Sequence, residues 1–160
     1  MATDKSCWLG VDLGNARVGL ALSDPELTLA HPIGNIQVRG DYFQALYDVL
    51  DIIEDNHVSH VVVGYPLLLN GTEGASAKKA RRWAGNLRRR LEGAGIAATI
   101  QLLDERMTTV SAHRQLLEVG LGMRAHRPNV DQQSAVVLLQ AALDAADRHG
   151  RQTDTDVEAL

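Results

Sequence analysis

The chain has 160 residues, of which 45% are hydrophobic and 22% are charged, and its formal net charge is −4. This length fits one domain with its own core, and no apolar run reaches the roughly 18 residues that a membrane span needs. Residues 1–7 lack the apolar stretch of a signal peptide. Cys7 is the only cysteine, so an internal disulfide is excluded and a cytoplasmic location is expected.

The first half of the chain predicts three strands, a helix and a fourth strand. The strands are expected over residues 8–13, 17–23 and 33–38, and the first two form a hairpin because their connection is short. Asp41 begins the predicted helix, whose apolar face contains Phe43, Leu46, Leu50 and Ile53. The β-branched run at residues 60–64 predicts a strand that is buried on both faces.

The second half alternates helices with one further strand. A helix is predicted over residues 76–91, a strand over 97–103, and a second helix from Thr108 or Thr109 to about Val119. Asn129 can cap a last helix that runs to about Arg148. The order β-β-β-α-β-α-β-α-α predicts an α/β fold with a mixed five-stranded sheet and helices on both faces. We expect one domain over residues 1–150, followed by a disordered acidic tail at 151–160.

Carboxylates stand at three predicted element ends. Asp12 ends the first strand, Asp104 and Glu105 end the fifth, and Asp131 lies in the first turn of the last helix. Ligands gather at strand ends in open α/β sheets, so we expect these acids to converge in a cleft. Carboxylates without a Cys or His cluster suit hard cations such as Mg²⁺ or Mn²⁺, and such sites most often act on phosphate esters.

Each acid also has a simpler interpretation. Asp12 can be an ordinary turn residue. Asp131 can be present only because an acid in the first turn interacts favourably with the helix dipole, which contributes about 0.3–1 kcal/mol. Asp104 or Glu105 can cap the next helix or pair with Arg106. Adjacent residues of a strand point to opposite faces, so one of these two acids is expected in the cleft while the other orients Arg106 or the loop.

One segment is strongly basic although the net charge is negative. Residues 78–90 contain no acid and seven cations: Lys78, Lys79, Arg81, Arg82, Arg88, Arg89 and Arg90. A merely solvated face usually mixes both signs of charge, so a role in holding phosphates is at least as well supported as simple solvation. Trp83 shares a face with Ala80 and Leu87 and is therefore expected in the core.

Four blocks of the sequence resemble the YqgF/RuvX family. They are GVDLGNARVGLALSD at residues 10–24, VGYPL at 63–67 with NGTEG at 70–74, DERMTTVSA at 104–112, and VDQQSAVVLL at 130–139. The blocks stand in the order of that family and cover most of the chain up to about residue 148. The resemblance implies an RNase H-like fold, similar to that of the RuvC Holliday-junction resolvases. It also implies a metal-dependent nuclease that matures the 5′ end of pre-16S rRNA or cleaves branched DNA.

The resemblance assigns roles to particular residues. Asp12, Glu105 and Asp131 would be the catalytic acids and metal ligands, with Asp104 as a lesser candidate ligand. Asp12 would bridge two divalent ions, and the other two catalytic acids would each hold one, giving 5′-phosphate and 3′-hydroxyl ends. The RuvC-like pattern has an acid at the end of the fourth strand, where this chain has Gly64, so Glu105 must substitute.

The expected partner is nucleic acid, either pre-rRNA or branched DNA, and a homodimer is possible. The phosphate backbone would be held by a set of basic residues: Lys78, Lys79, Arg81, Arg82, Arg124 and Arg127. Two alternatives come from other classes of protein. One is a lobe of an ATPase of the actin and sugar-kinase type, which begins with a similar hairpin but needs two lobes. The other is a nucleic-acid-binding module without catalysis.

The segment 120–128 is predicted to be a loop that is poorly ordered without substrate. It contains two glycines and a proline, with few apolar anchors, and it leads directly into Asp131. We therefore expect it to fold over the nucleic acid on binding, so that shortening it would reduce cleavage more than thermal stability.

Overall fold

The computed structural model describes residues 6–14, 16–39, 41–108 and 127–148. Five strands form one sheet: β1 Cys7–Leu13, β2 Arg17–Ser23, β3 Ala30–Gln37, β4 Val58–Tyr65 and β5 Thr99–Asp104. Their order is β3-β2-β1-β4-β5. The pairs β1–β2 and β2–β3 are antiparallel, whereas β1–β4 and β4–β5 are parallel. The predicted mixed five-stranded sheet is confirmed.

Three α-helices are described: α1 Ala45–Asp55, α2 Ala75–Gly93 and α3 Arg127–Arg148. Two short 3-10 helices, Tyr42–Gln44 and Glu105–Met107, precede α1 and follow β5. Within the described ranges, no helix is long and apolar enough to cross a membrane. The predicted helix from Thr108 or Thr109 to Val119 and the predicted acidic tail lie outside the described residues.

Three local predictions were wrong. Phe43 does not lie on the buried helix face and is 41% exposed, because Asp41 caps a 3-10 turn whose spacing differs from that of α1. The last helix begins at Arg127, not after an Asn129 cap, and Pro128 lies in its first turn, where a missing N–H costs little. The third strand starts at Ala30 and includes Pro32, which an edge strand tolerates.

The sheet buries a core on each face. One core lies under α1 and α2 and contains the fully buried Trp83, whose indole N–H donates to the carbonyl of Tyr42 at 2.9 Å. The other core lies under α3 and contains Ala135 and Leu139. Close packing of α3 depends on Gly10, where an added Cβ would lie 2.8 Å from the Cβ of Leu139.

Alternation along the strands decides which side chains face α3. Leu9 and Val11 of β1 belong to the core under α1 and α2, so Gly10 and Asp12 face the other side. On β4, Val61 and Val63 likewise belong to the α1 and α2 core, and Gly64 faces α3. This face of the sheet therefore carries the first of the predicted acids.

Candidate active site

Asp12 lies at the C-terminal end of β1 on the face covered by α3, and only 1% of it is exposed. Its backbone pairs with Gly19 of β2. On the other side, Val11 pairs with Val63 of the parallel strand β4, so Asp12 lies level with Gly64. The C-terminal ends of parallel strands meet at one edge of the sheet, and this edge is where ligands bind in open α/β sheets.

Glu105 is the second buried acid at this edge, with 3% of its surface exposed. It begins the 3-10 helix after β5, and its carboxylate folds back over Gly64. A Cβ added at Gly64 would lie 2.5 Å from the Glu105 Oε2 and 2.9 Å from the Leu138 Cδ1. The carboxylate of Glu105 thus fills the space that a β4 side chain would occupy. This placement brings the acid that follows β5 to the end of β4, on the strand next to Asp12 and on the same face of the sheet.

Asp104 points elsewhere and is held by Arg106. The Arg106 Nη2 donates to the Asp104 Oδ2 at 2.7 Å, the Nε lies 3.1 Å from both carboxylate oxygens, and the Arg106 backbone N–H donates to Oδ1 at 2.9 Å. The side-chain hydrogen bonds from Arg106 lower the pKa of Asp104. Both oxygens of Asp104 are therefore engaged, and we leave this residue out of the proposed metal ligands.

Asp131 lies in the first turns of α3, and its side chain is outside the described part of the structure. Its helical position is informative, because residues 131, 135, 138 and 139 share one face of a helix. Ala135 and Leu139 lie against Gly10, and Leu138 lies against Gly64. Among the described side chains, no group of three His, Cys, Asp or Glu residues comes together, so the described site consists of Asp12 and Glu105.

The loop between β4 and α2 is fastened beside this site by two arginines. Arg81 of α2 binds both carboxylate oxygens of Glu73 at 2.7 and 3.0 Å, and the Tyr65 hydroxyl donates to the same carboxylate. Arg106 donates to the carbonyl of Leu69 at 3.4 Å. Burial, followed by the bond to Glu73, raises the pKa of Tyr65 to about 12, so this hydroxyl stays a donor at neutral pH.

The Glu73 network leads to a prediction about pH. The hydrogen bond from Arg81, followed by that from Tyr65, lowers the pKa of Glu73 from its ordinary value of 4.5. Its stabilising effect is therefore complete above pH 4.5 and is lost as the pH falls through the lowered pKa. At pH 7, Glu73→Gln should lower the melting temperature and speed proteolysis within residues 66–74. The difference in melting temperature from the wild type should shrink in acid, where the wild-type carboxyl is also neutral.

A matched control is Glu92→Gln, which removes the carboxylate of Glu92 from its surface ion pair with the partly buried Arg88. Such surface pairs contribute little to stability, so this variant should melt and be proteolysed like the wild type. If both variants behave alike at pH 7, the Glu73 network does not fasten the loop.

The predicted nucleic-acid residues separate into different environments. Lys78 and Arg82 are exposed on α2, whereas Lys79 lies over the ring of Tyr42 at 3.8 Å and Arg81 is paired with Glu73. Arg124 and the side chain of Arg127 lie outside the described residues, as does most of the predicted loop 120–128. Residues 127 and 128 belong to α3, so the prediction that the loop extends to residue 128 was wrong.

Sequence reasoning missed the roles of three residues at this edge. Gly64 receives the Glu105 carboxylate, and Glu73 and Tyr65 fasten the adjoining loop. The sequence has Gly64, not an acid, at the end of β4, and this could have indicated that a carboxylate from another element occupies the space there. The pairing of Glu73 with Arg81, eight residues along the chain, had no comparable signal.

Known proteins resemble this chain over most of its length. The family model described as RuvX, Holliday junction resolvase, matches residues 6–145. A protein of Bifidobacterium adolescentis named "Putative pre-16S rRNA nuclease" is 66% identical over 145 residues, which cover 86% of this chain and 96% of that protein. A protein of the same name from Bifidobacterium longum subsp. infantis is 64% identical over 145 residues, with the same two coverages.

Solved structures agree on the fold. The structure of Thermus thermophilus RuvC in complex with a Holliday junction substrate has a TM-score of 0.55, covering 91% of this chain and 97% of that chain. Its sequence is 15% identical to this one, so the likeness supports the fold alone. The RNase H-like fold expected from the sequence blocks is confirmed, and the family match favours a nuclease over an ATPase lobe. The chain belongs to the RuvX family, and its relatives are named as nucleases, hydrolases of phosphodiester bonds.

Proposed function

We propose that this chain is an endonuclease that depends on Mg²⁺ or Mn²⁺ and that Asp12, Glu105 and Asp131 hold the cation. The observation that carries this proposal is the placement of two buried acids on one face of the sheet: Asp12 ends β1, and Glu105 lies over Gly64 at the same level of the neighbouring strand β4. Neighbouring carboxylates disfavour each other's charged form, and a divalent cation between them offsets that repulsion. Asp131 is included because its helical position continues the face of α3 that covers these acids.

The donor atoms at this edge fit a hard cation. Asp12 and Glu105 offer only carboxylate oxygens, which are the ligands that Mg²⁺ and Mn²⁺ prefer. The described cysteine and histidine residues lie toward the opposite ends of the strands. Cys7 begins β1, and His60 lies near the start of β4, where its ring nitrogens are 2.6 Å from the Thr99 hydroxyl and 2.9 Å from the Gln101 Oε1. Among the described residues, this separation disfavours a zinc centre built from cysteine and histidine at the proposed site.

The residues around the acids would prepare the site for phosphodiester hydrolysis. A bound divalent ion would lower the pKa of a water molecule and neutralise charge on the phosphate. Asp12 is held by the backbone ladder of β1, and Glu105 is held against Gly64 and Leu138, so both carboxylates are positioned before substrate arrives. Their burial also lowers the local dielectric constant, which strengthens their attraction for a cation.

The substrate proposal follows the names of the relatives. A precursor of 16S rRNA and a branched DNA such as a Holliday junction are the two candidates, and the high identity to proteins named as pre-16S rRNA nucleases favours the first. We place this activity in the cytoplasm. A homodimer stays a prediction that sedimentation of the purified protein can test.

A cleavage panel tests the proposed function directly. The purified chain should be incubated with labelled RNA containing the 5′ end of 16S rRNA, a four-way DNA junction and a linear duplex, with Mg²⁺, Mn²⁺ or EDTA. We expect cleavage of the RNA or of the junction only with a divalent ion, leaving 5′-phosphate ends. Cleavage of none of these substrates would contradict the proposal, and so would undiminished cleavage in EDTA.

A further inference from the structure

The seven cations of α2 fall into two groups that the structure separates by their surroundings. Four of them are partly buried and each has a partner: Lys79 lies over the ring of Tyr42, Arg90 lies over the ring of Tyr47, Arg81 pairs with Glu73 and Arg88 pairs with Glu92. The other three, Lys78, Arg82 and Arg89, are exposed. Within the described part of the chain, none of these three side chains forms an ion pair, although Lys78 is near enough to help lower the pKa of Glu73.

The three exposed cations form one row on the outer surface of α2. Successive helical residues are about 100° apart, so Lys78, Arg82 and Arg89 lie within about 40° of the helix circumference. The buried residues of α2, among them Trp83 and Leu87, lie on the opposite side. Along the axis the row spans about 16 Å, at a rise of about 1.5 Å per residue. The partnered cations flank this row on both sides.

The row begins near the proposed active site and leads away from it. β4 ends at the sheet edge that carries Gly64, and α2 starts directly after the loop that follows β4. Lys78 lies in the first turn of α2, so it is the end of the row nearest this edge, and Arg89 is the farthest. The helix α2 covers the face of the sheet opposite to α3. A nucleic-acid strand that contacts both the row and the proposed active site must therefore pass over the sheet edge at the loop between β4 and α2.

We propose that the row of Lys78, Arg82 and Arg89 holds the phosphate backbone of the substrate strand that flanks the cleavage site. A line of exposed cations on a rigid helix can follow successive phosphates, and such contacts fix position without reading sequence. The four partnered cations lie to either side of this line, and each already contacts a carboxylate or an aromatic ring, so we expect them to contribute less. This inference rests on the proposed function, since it names where the nucleic acid lies.

Two charge-matched double variants on the same helix test the row. Arg82→Gln with Arg89→Gln removes two row cations, and Arg88→Gln with Arg90→Gln removes two partnered cations. Binding of a labelled RNA and a labelled four-way DNA junction should be measured in EDTA by fluorescence anisotropy over a range of salt concentrations. All four positions are at the surface, and thermal unfolding shows whether each variant is folded.

The slope of log affinity against log salt should be smaller in magnitude for the row variant than for the wild type, by about 1.4 to 1.8. This is the change expected for two lost phosphate contacts, at about 0.7 to 0.9 for each contact. The control should keep the wild-type slope. Equal slopes in the two variants would overturn the role of the row. The proposed function would still stand in that case if the wild type binds and cleaves its substrate. A wild type that neither binds nor cleaves either substrate would overturn both.

Discussion

Replacing Asp12 with Asn should abolish cleavage while nucleic-acid binding stays close to the wild-type level or improves. The substitution keeps the size of a side chain that is only 1% exposed, but it removes the charge that would hold a cation. The loss should exceed the roughly 10–100-fold that removal of an outer-sphere partner of a metal typically costs. Binding should persist because one negative charge fewer faces the phosphates. Single-turnover cleavage and anisotropy on the same substrate provide the two measurements.

The control for this variant is Asp51→Asn, which removes the same charge from an exposed position of α1. It should cleave like the wild type. Wild-type cleavage by the Asp12 variant would show that the proposed site is in the wrong place. Equal loss in both variants would point to net charge as the cause.

Adding one methyl group at Gly64 should also impair cleavage severely. The new Cβ would lie 2.5 Å from the Glu105 Oε2 and 2.9 Å from the Leu138 Cδ1, so the carboxylate or α3 must move. Overpacking of this kind typically destabilises a protein by about 1–3 kcal/mol. We expect Gly64→Ala to fold with a lower melting temperature and to lose cleavage well below that temperature, because Glu105 is displaced from its position beside Asp12.

Gly93→Ala is the matched control. An added Cβ at Gly93, at the end of α2, meets no atom within 4 Å, so this variant should melt and cleave like the wild type or slightly better. Full activity of Gly64→Ala at 25 °C would mean that the position of the Glu105 carboxylate does not matter for cleavage.

Hydrophobic periodicity was enough to predict the sheet and the position of Trp83. The β-branched run at residues 60–64 lies in β4, an interior strand of the sheet. The spacing of Ala80, Trp83 and Leu87 correctly predicted that these residues lie on the buried face of α2. These features depend on local patterns that repeat every two or every 3.6 residues. The wrong start of the last helix and the misplaced Phe43 come from helix ends, where capping choices differ by small free energies.

The different positions of the Asp104 and Glu105 carboxylates could be predicted only in part. Alternation along a strand predicts that adjacent acids point apart, but it does not say which one enters the cleft. That choice depends on the 3-10 turn after β5 and on the empty space above Gly64, which lies 41 residues earlier in the chain. The separation of the α2 cations was equally hidden, because Tyr42 and Tyr47 come from a distant segment that folds against α2.

Metal-dependent cleavage by the Glu105→Gln variant is the most direct measurement of whether the acid from β5 completes the site. Single-turnover cleavage of one substrate should be followed over a titration of Mg²⁺ and of Mn²⁺ for this variant and the wild type. The proposed site predicts cleavage by the wild type that saturates with metal, and cleavage by Glu105→Gln that is absent or needs far more metal. Superimposable metal titrations for the two proteins would contradict a role for Glu105 in holding the cation.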